Sequence, residues 1–174
     1  MTGNPGMPFR FKRERAFTLV ELVSTLVIIG VLSAVVAPRY TSLTGAAYRA
    51  QVASIAGAFE SAVRLANVVC IVRSWANRDN LPGYGAGTLD FNANCYPTDT
   101  TGNANTIGSN RTRCQRVFAG ILVVAPTVTT AASGADFRAT AASNVCTYRY
   151  LLDSATSRSF TYNSLTGAIA RVNP

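Results

Sequence analysis

A predominantly apolar stretch runs from Phe17 to Pro38 and contains one acidic residue, Glu21. As an α-helix it is long enough to cross a bilayer, since about 20 residues at 1.5 Å each span the hydrocarbon core. A positive flank before such a stretch is typical of membrane anchors and signal peptides. Four basic residues supply that flank here: Arg10, Lys12, Arg13 and Arg15. The stretch therefore predicts a membrane-spanning helix that carries the remainder of the chain.

The sharper boundary of this segment lies at its beginning. An ordinary signal peptide is cleaved at a small-residue site after its apolar part. In this chain, residues 34–38 lie at that position and offer only a mediocre cleavage site. The junction Arg15-Ala16-Phe17 instead separates a polar leader, residues 1–16, from the apolar segment, residues 17–38. Met1 and Met7 are both candidates for the translation start.

The residues around this junction resemble the class III signal of type IV pilins and type II secretion pseudopilins. The resemblance rests on the basic flank, the small residue Ala16 and the following run Phe17-Thr-Leu-Val-Glu-Leu-Val. In that family a prepilin peptidase cleaves before the phenylalanine and methylates the new amine. The resemblance implies that Ala16–Phe17 is the cleaved bond and that Phe17 becomes the methylated N-terminus. Alanine stands where the family usually has glycine, and this is expected to lower the efficiency of cleavage.

The carboxylate of Glu21 is predicted to act in assembly. A charge within a membrane-spanning helix is costly unless it finds a partner, so such residues are usually functional. Cleavage would create an amine on Phe17, one helical turn away, and the two groups can pair within one subunit or between neighbours. The resemblance implies that pairing between neighbours sets the register of a filament, and it implies a helix kink or local melting near Gly30 and Pro38. The alternative is an anchor that tolerates one acid.

Helical periodicity resumes after Pro38. The pattern predicts an amphipathic helix over residues 39–77 that continues from the anchor and packs its apolar face on a sheet. Its apolar residues recur at steps of three and four, with Ala56, Val63 and Cys70 beside them in one broad stripe: Val52, Ile55, Phe59, Ala62, Ala66 and Val69.

Residues 78–113 are rich in Gly, Asn, Thr and Asp and predict a loop region with one short strand near residues 89–93. Asp79, Asp90 and Asp99 are interpreted as turn residues and not as calcium ligands, because no D-x-D-x-D loop is present. In the family, this connection between helix and sheet forms the variable exposed surface. The resemblance therefore implies that contacts with a surface receptor lie here.

The rest of the chain predicts a short helix followed by strands. Residues 114–126 have helical spacing and end at Pro126, and residues 127–135 are predicted to be a loop. Residues 136–174 show the alternation of antiparallel strands and a glycine-bearing hairpin. This order predicts an α+β fold with a globular domain over residues 39–174. The resemblance makes it the type IV pilin fold, with a long N-terminal helix packed on an antiparallel β-sheet.

Four widely spaced cysteines predict two structural disulfides. They are Cys70, Cys95, Cys114 and Cys146, and they contain no C-x-x-C pair. An even number of cysteines in an exported domain indicates disulfides, but three pairings are open and the sequence does not choose between them. Our preferred pairing joins Cys95 to Cys114, closing the loop region, and Cys70 to Cys146, tying the helix to the sheet.

The composition argues against catalysis and against metal binding. The chain has no histidine, and we find no nucleophile–base arrangement and no phosphate-binding loop. We therefore expect no enzymatic activity, no cofactor and no metal site. The net charge is +8, and we interpret it as solubilising, with Arg111, Arg113 and Arg116 as the candidate cluster for binding DNA.

The resemblance implies a structural subunit of a type IV pilus-like filament. Such a subunit sits in the bacterial inner membrane as a single-pass protein, is processed by prepilin peptidase, and is polymerised by the assembly machinery into an extracellular homo-oligomer that acts in adhesion, surface attachment or motility. Residues 146–150 and 160–169, with residues 37–43, are also similar to the mannose-sensitive haemagglutinin branch of these pilins. The alternatives are a pseudopilin of a type II secretion system and a minor pilin that binds DNA.

Overall fold

The computed structural model describes residues 17–102, 105–154 and 156–173, without the side chains of residues 37, 38, 41 and 42. The leader, including Ala16 of the predicted cleavage site, lies outside the described residues. The chain divides into two compact units, one ending at Leu43 and one beginning at Thr44. The helices are α1 (Leu19–Val72) and α2 (Arg111–Ile121). The strands are β1 (Asp90–Phe91), β2 (Pro97–Asp99), β3 (Val128–Thr129), β4 (Phe137–Ala142), β5 (Val145–Tyr150), β6 (Ser159–Asn163) and β7 (Ile169–Val172).

The first unit consists of the beginning of α1. Thr18 caps the helix, since its hydroxyl oxygen accepts a hydrogen bond from the N–H of Glu21 at 3.3 Å. The segment Leu19–Val36 is long and apolar enough to cross a membrane and has none of its residues buried. A later segment of α1, Leu43–Val72, meets the same criterion but is 28% buried, as expected for a core helix. The helix continues through Gly30 and Pro38 without local melting, and the kink stays a prediction.

In the second unit, α1 packs against the sheet. The predicted apolar stripe is confirmed at Val52, Phe59 and Ala66, which are buried. It is confirmed as well at Ala56, Val63 and Cys70, which are also buried. The other members of the stripe, Ile55, Ala62 and Val69, are partly buried at its edge.

The helix ends at Val72, earlier than the predicted residue 77. Ser74 adopts a left-handed backbone conformation with φ of 52°. The N–H of Trp75 donates to the carbonyl of Cys70 at 2.9 Å, and the N–H of Ser74 donates to Ile71 at 3.0 Å. These two bonds form a Schellman motif, which usually has glycine at the left-handed position. Serine gave no such signal in the sequence, and the prediction was therefore too long.

The larger sheet has the order β3-β4-β5-β6-β7, and its β4–β7 strands are antiparallel as predicted. The prediction of a loop over residues 127–135 is wrong in part, because β3 lies within it and pairs with β4 in parallel. Thr127 and Asp136 bring the two strands together. The Asp136 carboxylate accepts from the N–H and the hydroxyl of Thr127 at 2.9 and 2.7 Å, while the Thr127 hydroxyl oxygen accepts from the N–H of Asp136 at 2.8 Å. The α+β fold is confirmed.

Aromatic rings fill the space between α1 and the sheet. Phe59 of α1 has its ring centroid 5.4–5.8 Å from four other rings, those of Phe118, Tyr148, Phe160 and Tyr162. All five side chains are buried. Such ring pairs add to the stability gained by burying their area. The core of this unit is therefore an aromatic cluster centred on one helix residue.

The second helix begins and ends earlier than predicted. Asn110 is its N-cap, with the side-chain oxygen accepting from the N–H of Thr112 at 3.0 Å. After Ile121 the chain is extended at Leu122, so the predicted end at Pro126 is wrong by five residues. The apolar positions shared by the prediction and the structure are buried: Cys114, Val117, Phe118 and Ile121.

Replacing Phe59 by alanine is expected to lower the free energy of unfolding by about 3–5 kcal/mol, because a buried ring is removed from the centre of the cluster. Denaturant unfolding of the detergent-solubilised chain measures this change. Leu65→Ala is the matched control, since Leu65 lies on the same helix with 57% of its surface exposed. Similar losses in the two variants would contradict the central place given to Phe59.

Candidate functional site

The predicted assembly residues lie at the beginning of α1. Phe17 precedes the helix, and Glu21 lies in its first turn. Both side chains are exposed within this unit. An acidic group in the first turn interacts favourably with the positive end of the helix dipole. The structure therefore places the main-chain nitrogen of Phe17 and the carboxylate of Glu21 at the same end of the helix.

Three hydroxyl groups of this segment donate hydrogen bonds to carbonyls of the same helix. Ser24 donates to the carbonyl of Glu21 at 3.0 Å, Thr25 to Leu22 at 2.8 Å and Ser33 to Ile29 at 2.7 Å. Because these three hydroxyl groups have acceptors within the helix, they can lie in an apolar environment without an unpaired donor. Glu21 is then the group of residues 17–36 whose charge needs a partner from elsewhere.

The four cysteines form two disulfides, but the preferred pairing is wrong. Cys70 is bonded to Cys95 and Cys114 to Cys146, with Cα–Cα distances of 5.6 and 5.5 Å. The loop region folds back on the end of α1, where the side-chain amide of Asn67 donates to the carbonyl of Cys95 at 2.9 Å. This return places Cys95 beside Cys70 of α1. Cys114 of α2 then bonds to Cys146 of the sheet.

Asp90 and Asp99 are not turn residues, which corrects the sequence interpretation. Both lie in the small β1–β2 sheet and are buried, and Asp79 alone of the three lies in a bend. The Asp99 carboxylate accepts two hydrogen bonds from Arg116, at 2.6 and 2.7 Å, and lies 3.4 Å from Nε of Arg113. A bidentate pair of this kind is among the stronger polar contacts in proteins.

This ion pair bears on the proposed DNA-binding cluster. Two of its three members, Arg113 and Arg116, contact a buried carboxylate, and Arg111 is the exposed one of the three. The structure does not bring the three guanidinium groups together as a free basic patch. Within the described residues, no group of three His, Cys, Asp or Glu side chains is placed to bind a metal ion.

Asn92 organises the loop region, and sequence reasoning missed it. Its side-chain oxygen accepts from the N–H groups of Asn94 at 3.0 Å and Tyr96 at 2.9 Å. Its side-chain nitrogen donates to the carbonyl of Ser164, beyond the end of β6. The buried ion pair of Asp153 and Arg158, at 2.8 Å, was missed as well. Asparagine, aspartate and arginine do not signal burial by their residue type, and no pattern in the sequence marked these three positions.

Comparisons with known proteins agree with the N-terminal segment. Residues 11–37 match a family described as "Prokaryotic N-terminal methylation motif". The chain is 45% identical over 56 residues to the type IV narrow pilus major component PilA5 of Thermus thermophilus. That match covers 32% of this chain and 48% of the relative, so it spans about half of the relative's length. No solved structure matches the chain.

A long N-terminal helix that begins as an apolar segment and continues into an α+β domain defines a pilin-like class of protein. The N-terminal segment is similar to the methylation motif and to PilA5, and both similarities agree with the resemblance to type IV pilins.

The disulfide pairing can be checked by tryptic digestion without reduction. Mass spectrometry is expected to find the peptide of residues 65–73 linked to that of residues 79–111, and residues 114–116 linked to residues 139–149. A link between residues 79–111 and 114–116 would contradict the structure, since it would join Cys95 to Cys114. The reduced digest is the control, in which all four peptides should run separately.

Proposed function

We propose that this chain is a structural subunit of a type IV pilus-like filament and that it polymerises through its N-terminal helix. One observation carries the proposal: residues 17–36 combine an exposed apolar helix with a single carboxylate in the first turn. The relative PilA5 is named as the major component of a narrow type IV pilus, which supports a role of the same kind here.

Processing by a prepilin peptidase is part of the proposal. The peptidase cleaves between Ala16 and Phe17 and methylates the new amine of Phe17. The match of residues 11–37 to the methylation motif supports this, because the matched range spans the proposed bond. Before assembly, the subunit is a single-pass protein of the bacterial inner membrane, with its basic leader on the cytoplasmic side. After assembly, it lies in an extracellular pilus at the cell surface.

The physical chemistry of the segment limits what can drive assembly. Moving an apolar helix from lipid into a bundle of helices exchanges one apolar environment for another, so hydrophobic transfer contributes little. Close packing between helices and the pairing of Glu21 with an amine must supply the stability. Exposed apolar residues lie on all sides of this part of α1, as a helix surrounded by neighbours requires: examples are Val20, Leu22, Val23, Ile28 and Leu32.

The proposed role is structural and not enzymatic, in keeping with the family that the comparisons support. The assembly machinery and a surface receptor are proposed partners, and adhesion, surface attachment or motility are the proposed activities of the filament. A pseudopilin of a type II secretion system shares the same N-terminal segment and is the other member of this class to consider. The DNA-binding alternative is weakened by the contacts of Arg113 and Arg116 with Asp99.

Replacing Glu21 by alanine is expected to reduce surface filaments at least about tenfold, since losing about 1.4 kcal/mol per subunit contact suffices for that factor. Electron microscopy and sheared-filament yield measure the effect, with membrane insertion unchanged. Glu60→Ala is the matched control, because Glu60 pairs with Arg64 on the surface of the same helix and such pairs contribute little. Normal filament yield from the Glu21 variant would overturn the assembly role.

The mature N-terminus is expected to be methylated Phe17. Mass spectrometry of the purified filament subunit measures this directly, and Ala16→Gly is expected to increase the processed fraction because it restores the residue usual in the family. A retained leader, or cleavage after Ala37, would contradict the processing that we propose.

A further inference from the structure

The five-stranded sheet presents a second face, opposite to the one that packs against α1. Successive residues of a strand point to opposite faces. In β4 and β5, Phe137, Ala139, Tyr148 and Tyr150 form the buried inner face. The residues between them form the outer face and are half-buried or exposed.

Two arginines lie side by side on this outer face. Arg138 of β4 pairs directly with Arg149 of β5 in the antiparallel register. Residues in this relationship have Cβ atoms about 5 Å apart, and like charges placed opposite each other destabilise a sheet. Arg149 is exposed and Arg138 is half-buried, so the repulsion is only partly screened by water.

Within the described part of the chain, no carboxylate forms an ion pair with either arginine. The ion pairs formed there by arginines join other residues: Arg64 to Glu60, Arg113 and Arg116 to Asp99, and Arg158 to Asp153. The Nε atom of Arg138 is moreover buried without a hydrogen-bond partner. Buried polar atoms are normally paired, and an exception calls for an explanation. An anion seated between the two guanidinium groups would remove both costs.

Hydroxyl groups flank the arginine pair. Thr140, Thr147 and Thr161 stand opposite one another on β4, β5 and β6 and form the next row of the outer face. Ser159 pairs with Arg149 in the first row, but its side chain is buried. A hydroxyl can both donate and accept, which suits a ligand that is itself rich in hydroxyls.

The outer face lacks the platform that single-stranded nucleic acid uses. Bases bind such surfaces by stacking on exposed aromatic side chains. The aromatic residues of β4, β5 and β6 are all buried in the inner face: Phe137, Tyr148, Tyr150, Phe160 and Tyr162. The outer face offers guanidinium groups and hydroxyl groups, and this combination favours an acidic carbohydrate as its ligand.

We propose that the outer face of the sheet binds a carboxylated polysaccharide. A uronate carboxylate lies between Arg138 and Arg149, where guanidinium groups can bind it in a bidentate manner. The row of threonines then hydrogen-bonds the sugar hydroxyls. The site belongs to the sheet of a single subunit, so it does not depend on filament assembly, and loss of assembly through Glu21 would leave it unaffected.

The test measures binding of oligogalacturonate to the purified full chain in detergent at physiological salt. The double variant R138Q/R149Q is expected to bind at least about tenfold more weakly, a difference of about 1.4 kcal/mol. The control R49Q/R111Q removes the same charge from exposed arginines elsewhere and is expected to bind like the unmodified chain. The same oligomer with its carboxylates reduced to alcohols is expected not to bind.

Thermal unfolding gives a second readout. The midpoint of R138Q/R149Q is expected not to fall, because the substitution removes repulsion, and oligogalacturonate should raise the midpoint of the unmodified chain but not of this variant. If the double variant does not fold, R149Q alone and T147V test the two parts of the site, each with weaker binding expected. Unchanged binding by the variants, an equal loss in R49Q/R111Q, or tighter binding of duplex DNA through the same arginines would overturn the proposal.

Discussion

The globular unit depends on the packing of Phe59 against the rings of the sheet. This one side chain contacts rings from α2, β5 and β6. Two of the neighbouring tyrosines also carry a buried hydroxyl: Tyr148 donates to the carbonyl of Cys114 at 2.9 Å and Tyr162 to that of Pro97 at 2.8 Å. Burial raises the pKa of both tyrosines well above the ordinary value, so they stay protonated and remain donors. The aromatic core thereby also fixes α2 and β2.

The loop region is ordered by a few polar and covalent constraints, because its composition cannot bury much apolar surface. The Cys70–Cys95 disulfide ties it to α1, and such a link stabilises a fold by about 3 kcal/mol, largely through the unfolded chain. Asn92 and the Asp99–Arg116 pair hold its middle part against the chain after β6 and against α2. Each constraint is buried, and each therefore requires its partner: a carboxylate such as that of Asp99 cannot be left unpaired in the interior.

The sequence predicted those parts of the fold that follow from periodicity. The apolar stripe of α1 and the alternation of β4, β5 and β6 are local patterns, and burial acts on them directly. The disulfide pairing was not predictable, because it depends on where the chain from residue 73 to residue 95 returns, and polar contacts of Asn67 and Asn92 decide that. The end of α1 at Val72 and the strand β3 were missed for a related reason, since both rest on a few local hydrogen bonds and not on a repeating pattern. Of the candidate site, the roles of Phe17 and Glu21 stay predictions.

The N-terminal segment and the outer face of the sheet both carry charge that the described fold does not pair. Most of the acidic residues in the described chain have partners inside the molecule, as Asp99, Asp153 and Glu60 do. Glu21, in contrast, lies in an apolar helix, and Arg138 faces another arginine across the sheet. A partner outside the subunit can neutralise a charge that the described fold leaves unpaired. For Glu21, we propose that this partner is the amine of a neighbouring Phe17. For the arginine pair, we propose that it is a carboxylate of a polysaccharide, a group small enough to contact both guanidinium groups at once.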